Sequence, residues 1–342
     1  MAKMSVRPRR IRVDASTVCA ISCPACANTR GKVDESIGTG YLKSRDFADM
    51  LAANPWVRSV ELSGWGEPFL NPELPAILEC ASEHSVALTM DNGATLNGVT
   101  EDALRAVVGH RLRRVTCSID GATQAVYRRY RRGGDLDLVI ESIRRINALK
   151  AESGSRYPRL TWQFIVFAHN EHEIPAARAL AAELGMSFRL KQSWDRTLSP
   201  ARNEAGERPG DRALEELRRA AGRLYPHHDL SVFCHQLWEE PQLNWDGRVL
   251  GCCCNIQGGF GANAFTDGLY EAINNPDIRY AREMLLGTAE PRSDLPCSAC
   301  DVYASMQSSG RYLVRGLPRH AFRIASRLYN EAGLRGLRQS IS

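Results

Sequence analysis

Short apolar runs alternate with amphipathic stretches over the first half of the chain. The apolar runs have the length of strands and occupy 11–13, 57–63, 86–90, 114–119, 160–167 and 188–191. The stretches between them have helical spacing of apolar positions and occupy 44–53, 72–83, 101–108, 136–151 and 173–184. Strands that alternate with helices pair in parallel through right-handed crossovers. The pattern predicts an α/β fold with a partial (βα)6 TIM-like barrel, because a closed barrel needs about eight units.

The regular alternation stops near residue 193. Residues 193–211 are rich in proline and glycine, which predicts a linker or a long active-site insertion, and 212–224 form a predicted helix. Residues 231–303 have short segments, glycine-rich turns and six of the eleven cysteines. Within them Asp246-Gly247, flanked by apolar residues, predicts a β-hairpin. We predict three units: a barrel at 1–210, a small cysteine-rich domain at 211–310 and a tail at 311–342.

The composition is that of a protein with a large buried core, since 44% of its 342 residues are hydrophobic. The basic amino terminus is not followed by an apolar stretch, so no export signal is predicted. No apolar run reaches the length of about 18 residues that a membrane span needs. These features predict a cytoplasmic protein whose cysteines stay reduced and are available as metal ligands.

Basic residues are concentrated near the ends of the chain. The net charge of +5 is modest and does not by itself predict nucleic-acid binding. In 311–342, however, arginines greatly outnumber the single acid, Glu331. Residues 318–337 are predicted to form a basic amphipathic helix that packs on its own domain. Docking on acidic lipid or on a phosphate-bearing substrate is the alternative.

Three cysteines lie within eight residues near the start of the chain. In Cys19-Ala-Ile-Ser-Cys23-Pro-Ala-Cys26 they supply three thiolates to one metal centre. A closed zinc site uses four protein ligands, whereas an iron–sulfur cluster on three thiolates leaves one iron open. The motif favours the open cluster over a zinc knuckle or buried cysteines. By contrast, Cys80 and Cys117 lie in helix and strand patterns and are predicted to be apolar core residues.

Residues 13–32, which contain this motif, resemble the radical S-adenosylmethionine (radical SAM) superfamily. The resemblance implies that the three thiolates hold a [4Fe–4S] cluster and that the amino and carboxylate groups of SAM bind its open iron. It also implies reductive cleavage of SAM to methionine and a 5′-deoxyadenosyl radical, with an electron donor such as flavodoxin or ferredoxin. The family core is a (βα)6 barrel, and ligands of such parallel sheets bind at the carboxyl ends of the strands.

Three further segments resemble parts of the family's SAM pocket. Ser63-Gly64-Trp65-Gly66-Glu67-Pro68 is similar to the G-G-E-P loop, although Trp65 replaces a glycine, and the similarity implies that Glu67 binds the SAM ammonium. Asn92 lies in a segment similar to a T-N-G turn. Ser118 lies in a segment similar to an S-I-D-G run, which implies contact with the ribose or carboxylate; Asp120 in the same run is either a ligand-site residue or a helix cap.

Two polar residues interrupt otherwise apolar strands farther along the chain. Gln163 and Lys191 are therefore predicted to contact ligands at the barrel mouth. The complete predicted cofactor-binding set is Gly64, Gly66, Glu67, Asn92, Ser118 and Gln163.

The pattern of cysteines in 231–303 resembles the shortened SPASM, or twitch, extension of radical SAM enzymes. The resemblance implies that four thiolates hold an auxiliary [4Fe–4S] cluster, the ligands being Cys234, Cys252, Cys297 and Cys300. Four-thiolate zinc is the alternative. Cys253 and Cys254 follow Cys252 directly, and successive side chains of an extended chain point to opposite faces. At least one thiol is therefore spare, unless Cys253 replaces Cys252 as the ligand.

Three reaction classes fit these features. A spare thiol, Cys253 or Cys254, donates a hydrogen atom to a substrate radical and epimerises a carbon centre, as in radical epimerases of antibiotic pathways. Alternatively, the auxiliary cluster accepts an electron and an alcohol becomes a ketone, as in twitch-type cyclitol dehydrogenases, or the substrate is a ribosomal peptide. Only about ten residues precede the first strand, which leaves no room for the usual peptide-binding domain. We therefore expect a carbohydrate-like small molecule and epimerisation; a degenerate, non-enzymatic iron–sulfur protein is the remaining alternative.

Overall fold

The computed structural model of the chain describes residues 4–193, 233–310 and 312–313. The strands of the barrel are β1 (Arg10–Val13), β2 (Ser59–Glu61), β3 (Ala87–Ala94), β4 (Arg114–Ser118), β5 (Arg159–Val166) and β6 (Ser187–Gln192). The helices between them are α1 (Ser44–Ala53), α2 (Leu74–Glu83), α3 (Glu101–Gly109), α4 (Gln124–Tyr130), α5 (Leu136–Ser153) and α6 (Ile174–Glu183). Strands and helices thus alternate as the hydrophobic pattern predicts.

The six strands form one parallel sheet in the order β6-β5-β4-β3-β2-β1. Its register places Arg12 beside Glu61 and Ser118 beside Gln163. Parallel order with helical connections confirms the predicted partial barrel. The residues that follow each strand therefore lie at one end of the barrel, which is where such folds bind ligands.

A short hairpin continues the sheet beyond β1. Strand β7 (Gln242–Leu243) pairs in parallel with β1, and β8 (Val249–Gly251) pairs antiparallel with β7. Gly247 in the connecting turn has φ 87°, a left-handed conformation that favours glycine. This confirms the hairpin predicted from Asp246-Gly247. The remaining helices are α7 (Gln236–Glu239), α8 (Leu269–Ala272), α9 (Pro276–Leu285) and α10 (Asp301–Ser309).

Alternate residues of the strands face opposite sides of the sheet. One set is apolar and packs in a continuous core that includes Ile11, Val13, Val60, Leu62, Leu88, Met90, Val115, Cys117, Trp162 and Phe164. The other set is polar although it is also buried, and includes Arg12, Glu61, Ser63, Thr89, Thr116, Ser118 and Gln163. Cys80 and Cys117 both lie in the apolar core, which confirms their prediction as core residues. The polar set gives the barrel a hydrophilic interior.

The sequence pattern does not predict helix α4. Only Tyr127 and Tyr130 are buried on it, so it lacks an apolar stripe, and its start is set by the Thr123 side chain, which accepts from the Val126 amide. The predicted break at 193–211, apart from Ser193, and the predicted helices at 212–224 and 318–337 lie outside the described residues. In the described ranges, no helix has the length and apolar character needed to cross a bilayer.

Candidate active site

The loop that follows β1 carries the first three cysteines. Cys19 is exposed, Cys26 is half-buried and Cys23 is buried. The three thiols lie close enough for their charges to interact. The Cys26 amide donates to the Cys23 carbonyl over 3.0 Å, which closes a tight turn around Pro24. The structure thus brings together the three cysteines that the sequence predicts as ligands of one cluster.

A buried arginine contacts the cysteine loop. Arg131 donates from Nη1 to Cys23 Sγ over 3.4 Å and from Nε to Asp120 Oδ2 over 2.7 Å. Burial raises the pKa of the Cys23 thiol, and the Arg131 charge opposes that rise. A guanidinium donor favours the thiolate, which is the form that binds metal. Arg131 therefore supports Cys23 as a ligand. The sequence does not reveal this role, because Arg131 lies among several other arginines.

The loop after β2 packs directly on the cysteine loop. The Glu67 amide donates to the Val18 carbonyl over 2.8 Å. A Cβ atom on Gly66 would lie 2.5 Å from the Ser16 carbonyl oxygen, which is closer than real Cβ atoms approach. Only glycine fits between the two loops at this position without displacing backbone. The glycine-containing motif thus holds the cysteine loop in place.

The Glu67 carboxylate lies beneath this loop and is 1% exposed. It accepts hydrogen bonds from the amides of Thr95 over 2.5 Å and Phe69 over 3.4 Å. Burial raises the pKa of Glu67, and the Thr95 hydrogen bonds oppose that rise. The carboxylate is also close enough to Cys19 to interact with its charge. Glu67 therefore joins the end of β3 to the cysteine loop, and its contact with the SAM ammonium stays a prediction.

The other predicted SAM-binding residues lie on neighbouring strands. The Asn92 amide donates to Ser63 Oγ over 3.0 Å at the end of β2. Ser118, the last residue of β4, is in register with Gln163 on β5. Gln163 Oε1 accepts from Arg189 Nη2 over 2.6 Å, so Gln163 is tied to β6. Ser118 and Gln163 are buried on the polar side of the sheet, whereas Asn92 is exposed, and the contacts of all three with SAM stay predictions.

Two charged residues at β1 lie in the barrel interior. Arg12 is 7% exposed and donates to Gln242 Oε1 over 2.9 Å and to the Ser63 carbonyl over 3.3 Å. Asp14 is completely buried. Burial raises the pKa of Asp14 to about 7, and the charge of Arg12 limits the rise. The Trp65 amide and the Gln242 side chain also approach the carboxylate and limit the rise, but among the described residues neither makes a hydrogen bond of normal geometry. Unpartnered buried carboxylates are rare, so Asp14 marks a place where a hydrogen-bond donor of a ligand would be stabilised.

Four more cysteines gather in the C-terminal segment. Cys234, Cys252, Cys297 and Cys300 are all half-buried and pack against the main core. Cys252 interacts electrostatically with Cys297 and Cys300, and Cys254 interacts with Cys252 and Cys234. The four thiols predicted to bind an auxiliary cluster thus lie in one neighbourhood. Cys254, which is exposed, lies beside them.

Cys253 interacts with Cys252 and Cys254 and, in addition, with charged residues of the barrel. Its thiol interacts with the charges of Arg12 and Asp14 at β1 and of Lys191 on β6. Its sulfur is 3.9 Å from that of Cys254, and hydrogen bonding from Cys254 lowers the pKa of Cys253. Strands β1 and β6 are the first and last of the six barrel strands. Cys253 therefore lies between the auxiliary cysteine group and the charged residues of the barrel interior.

Comparison with known families identifies the first part of the chain. Residues 14–179 match the Radical SAM superfamily, and the match begins at Asp14 and includes both the cysteine loop and the loop after β2. Residues 14–179 belong to the radical SAM superfamily. Comparison with curated protein sequences gives no match.

The fold of the radical SAM domain and its C-terminal extension recurs in solved structures. Streptococcus suis SuiB bound to precursor peptide SuiA has a TM-score of 0.60 and 14% identity, with 93% of this chain and 78% of that chain covered. Native anSMEcpe with bound AdoMet has a TM-score of 0.58 and 12% identity, with 97% and 98% covered. At these identities the similarity establishes a shared fold.

Members of this superfamily bind a [4Fe–4S] cluster and SAM, and the residues of the radical SAM domain fit both. Cys19, Cys23 and Cys26 would hold the cluster, since they share one loop and Cys23 already has a cationic donor. Within the described ranges, no group of three or more His, Cys, Asp and Glu side chains is placed to hold a single metal ion. A Cβ atom on Gly64 would overlap Asp14 Oδ1 at 1.4 Å, so this loop also requires glycine. SAM would lie beside it, along the polar ends of β3 and β4.

Proposed function

We propose that the protein is a radical SAM enzyme that removes a hydrogen atom from a carbohydrate-like or natural-product small molecule. A hydrogen atom from Cys253 then returns to the opposite face of the carbon and epimerises it. The observation that supports this proposal most directly is the position of the Cys253 thiol. It interacts with charges on both β1 and β6, as a group that faces the barrel interior does.

The polar lining of the barrel supports the substrate class. The Lys191 ammonium and the Gln163 amide nitrogen offer donors, and the Asp14 carboxylate offers two acceptor oxygens that lack a hydrogen bond of normal geometry among the described residues. A substrate with several hydroxyl or amino groups would satisfy these groups. An apolar substrate would bury them without partners, at a cost of about 1–3 kcal/mol for each unsatisfied group. The interior therefore favours sugars and aminocyclitols.

Epimerisation leaves the substrate with the same atoms and the same oxidation state that it had before the reaction. When bound, the cluster and SAM would supply, with one electron from a donor protein, a 5′-deoxyadenosyl radical able to take a hydrogen atom from a carbon of the substrate. The S–H bond of Cys253 then breaks and a new C–H bond forms, since S–H bonds are weaker than most C–H bonds. The substrate loses one hydrogen atom and gains one. The thiyl radical left on Cys253 returns to the thiol by accepting one electron, which the one-electron donor protein would supply through the auxiliary cluster, and one proton from solvent.

We assign Cys234, Cys252, Cys297 and Cys300 to an auxiliary [4Fe–4S] cluster of the twitch type. The assignment rests on their common neighbourhood and on the electrostatic interaction of Cys252 with Cys297 and Cys300. Reconstituted protein is expected to bind about eight irons per chain, and Cys297→Ser is expected to reduce this to about four. An unchanged iron content in this variant would contradict the assignment.

The test of the reaction compares two adjacent cysteines. The reconstituted protein is incubated in deuterated water with SAM, dithionite and a panel of sugars and aminocyclitols, and a substrate is recognised by increased 5′-deoxyadenosine. We expect the product to be an epimer with one solvent deuterium. Cys253→Ala is expected to abolish product while SAM cleavage continues, and the matched control Cys254→Ala is expected to retain product.

Two results would contradict epimerisation by Cys253. One is product formation by Cys253→Ala at the rate of the unmodified enzyme. The other is a ketone product without solvent deuterium, which is the result expected of a dehydrogenase.

A further inference from the structure

A basic recess of about 570 Å³ opens on the surface beside the cysteine loop. The residues that line it are Pro24, Arg128, Arg129, Tyr130, Arg132, Gly133 and His169. The three arginines are exposed. The imidazole Nε2 of His169 is buried and has no hydrogen-bond partner among the described residues. The recess therefore presents positive charge to anything that docks there.

The basic recess lies directly over the cluster ligands. Pro24 separates Cys23 from Cys26 in the sequence, and Tyr130 packs with Cys23 and Phe167 in a small apolar cluster that Cys26 also contacts. The Ser22 amide donates to the Arg132 carbonyl over 2.9 Å, so the two segments are joined by backbone. A protein seated in the recess would thus be separated from the thiols of Cys23 and Cys26 by about one layer of side chains.

The charge of the recess is not neutralised by neighbouring residues. Residues 15–33 and 121–134, which provide six of the seven lining residues, contain no aspartate or glutamate. The segment of His169 contains Glu171 and Glu173, and Glu173 is buried and accepts from the Ala122 and Thr123 amides. None of the ion pairs in the described part of the chain involves Arg128, Arg129 or Arg132. Exposed arginines elsewhere do pair, for example Arg45 with Asp49 over 3.9 Å. The recess is thus a site of unpaired positive charge beside the predicted cluster.

We infer that the basic recess is the docking surface for an acidic one-electron carrier protein that reduces the cluster. The inference rests on the proposed function, since reductive cleavage of SAM consumes one electron that the carrier must lose. Redox partners form small, weak complexes, and complementary charge increases their association rates by about 10- to 1,000-fold. Unpaired arginines over the cluster provide this charge where the path for the electron is short.

The test uses the reconstituted protein and two electron sources. Dithionite reaches the cluster without docking, whereas reduced flavodoxin, an acidic carrier, must bind. The triple variant Arg128→Glu, Arg129→Glu and Arg132→Glu is compared with a control of equal charge change on the outer helices, Arg45→Glu, Arg105→Glu and Arg144→Glu. In the recess variant we expect cluster reduction by flavodoxin to slow about tenfold or more and to lose its salt dependence. With dithionite, its 5′-deoxyadenosine formation is expected to equal that of the unmodified protein.

Binding of oxidised flavodoxin, measured by calorimetry at low and high salt, gives a readout that does not depend on turnover. We expect weaker binding to the recess variant only. Equal flavodoxin affinities and equal rates of cluster reduction in both triple variants would overturn the inference. So would a recess variant whose 5′-deoxyadenosine formation falls as much with dithionite as with flavodoxin. Absence of 5′-deoxyadenosine from the unmodified protein with dithionite would instead contradict the proposed function, so the two failures are distinguishable.

Discussion

The buried carboxylate of Asp14 makes the stability of the protein depend on pH. Replacement by asparagine keeps the size and polarity of the side chain and removes the ionisation. In the folded protein the pKa of Asp14 is about 7, against its ordinary value of 3.8. The unfolded chain therefore ionises at lower pH than the folded one. The native state loses stability as the pH rises from the pKa of Asp14 in the unfolded chain to its pKa in the folded protein. Above the folded-state pKa no further stability is lost.

The size of the effect follows from the difference of about three pKa units. Each unit corresponds to about 1.4 kcal/mol, so the full cost at alkaline pH is about 4 kcal/mol. Between about pH 5 and about pH 8 the unmodified protein should lose about 2.5 kcal/mol of unfolding free energy relative to Asp14→Asn. Asp49→Asn is the matched control, since the Asp49 side chain is 77% exposed.

Urea unfolding under anaerobic conditions, followed by tryptophan fluorescence at the two pH values, measures this difference. We expect Asp14→Asn to be the more stable protein at the higher pH, while Asp49→Asn follows the unmodified protein at both. Identical pH dependence of the unmodified protein and Asp14→Asn would refute the reasoning. The same unpartnered carboxylate is the one that we expect to bind a donor of the substrate.

Three further results are expected. Gly66→Ala should lower the iron content after reconstitution because its Cβ would displace the cysteine loop, whereas Gly109→Ala, whose Cβ meets nothing within 4 Å, should not. Product formation should fall with rising pH more steeply than SAM cleavage, because the lowered pKa of Cys253 favours the thiolate, which has no hydrogen atom to give; parallel pH profiles would contradict this. Arg131→Met should reduce the unfolding free energy by about 3 kcal/mol in urea titrations, because the buried carboxylate of Asp120 loses its cationic partner. Unchanged stability would contradict this.

The sequence predicts the architecture well because the barrel alternates strongly between apolar strands and amphipathic helices. Helix α1 begins and ends at the predicted residues, and the hairpin at Gly247 follows from its turn residues. Helix α4 has no such signal, since two tyrosines provide its buried contacts. The spacing of apolar residues therefore does not predict a helix that is stabilised mainly by its N-cap and by tertiary contacts.

The interior of the site is harder to predict because it depends on which strands meet. Arg12 and Asp14 lie far from Cys253 in sequence, and only the fold brings their charges together. The signal in the sequence is the alternation Arg10-Ile-Arg-Val-Asp14, in which every second position is charged. In a strand this pattern predicts a polar inner face. Arg131 has no comparable signal, since its contact with Cys23 exists only in the folded protein.

The most direct test of the account is the response of the reduced protein to SAM. Anaerobically reconstituted protein is reduced with dithionite, its EPR spectrum is recorded with and without SAM, and 5′-deoxyadenosine is measured in the same samples. We expect a [4Fe–4S] signal that SAM changes, together with 5′-deoxyadenosine, and we expect Cys23→Ser to lose both. A spectrum that SAM leaves unchanged, with no 5′-deoxyadenosine, would contradict the account.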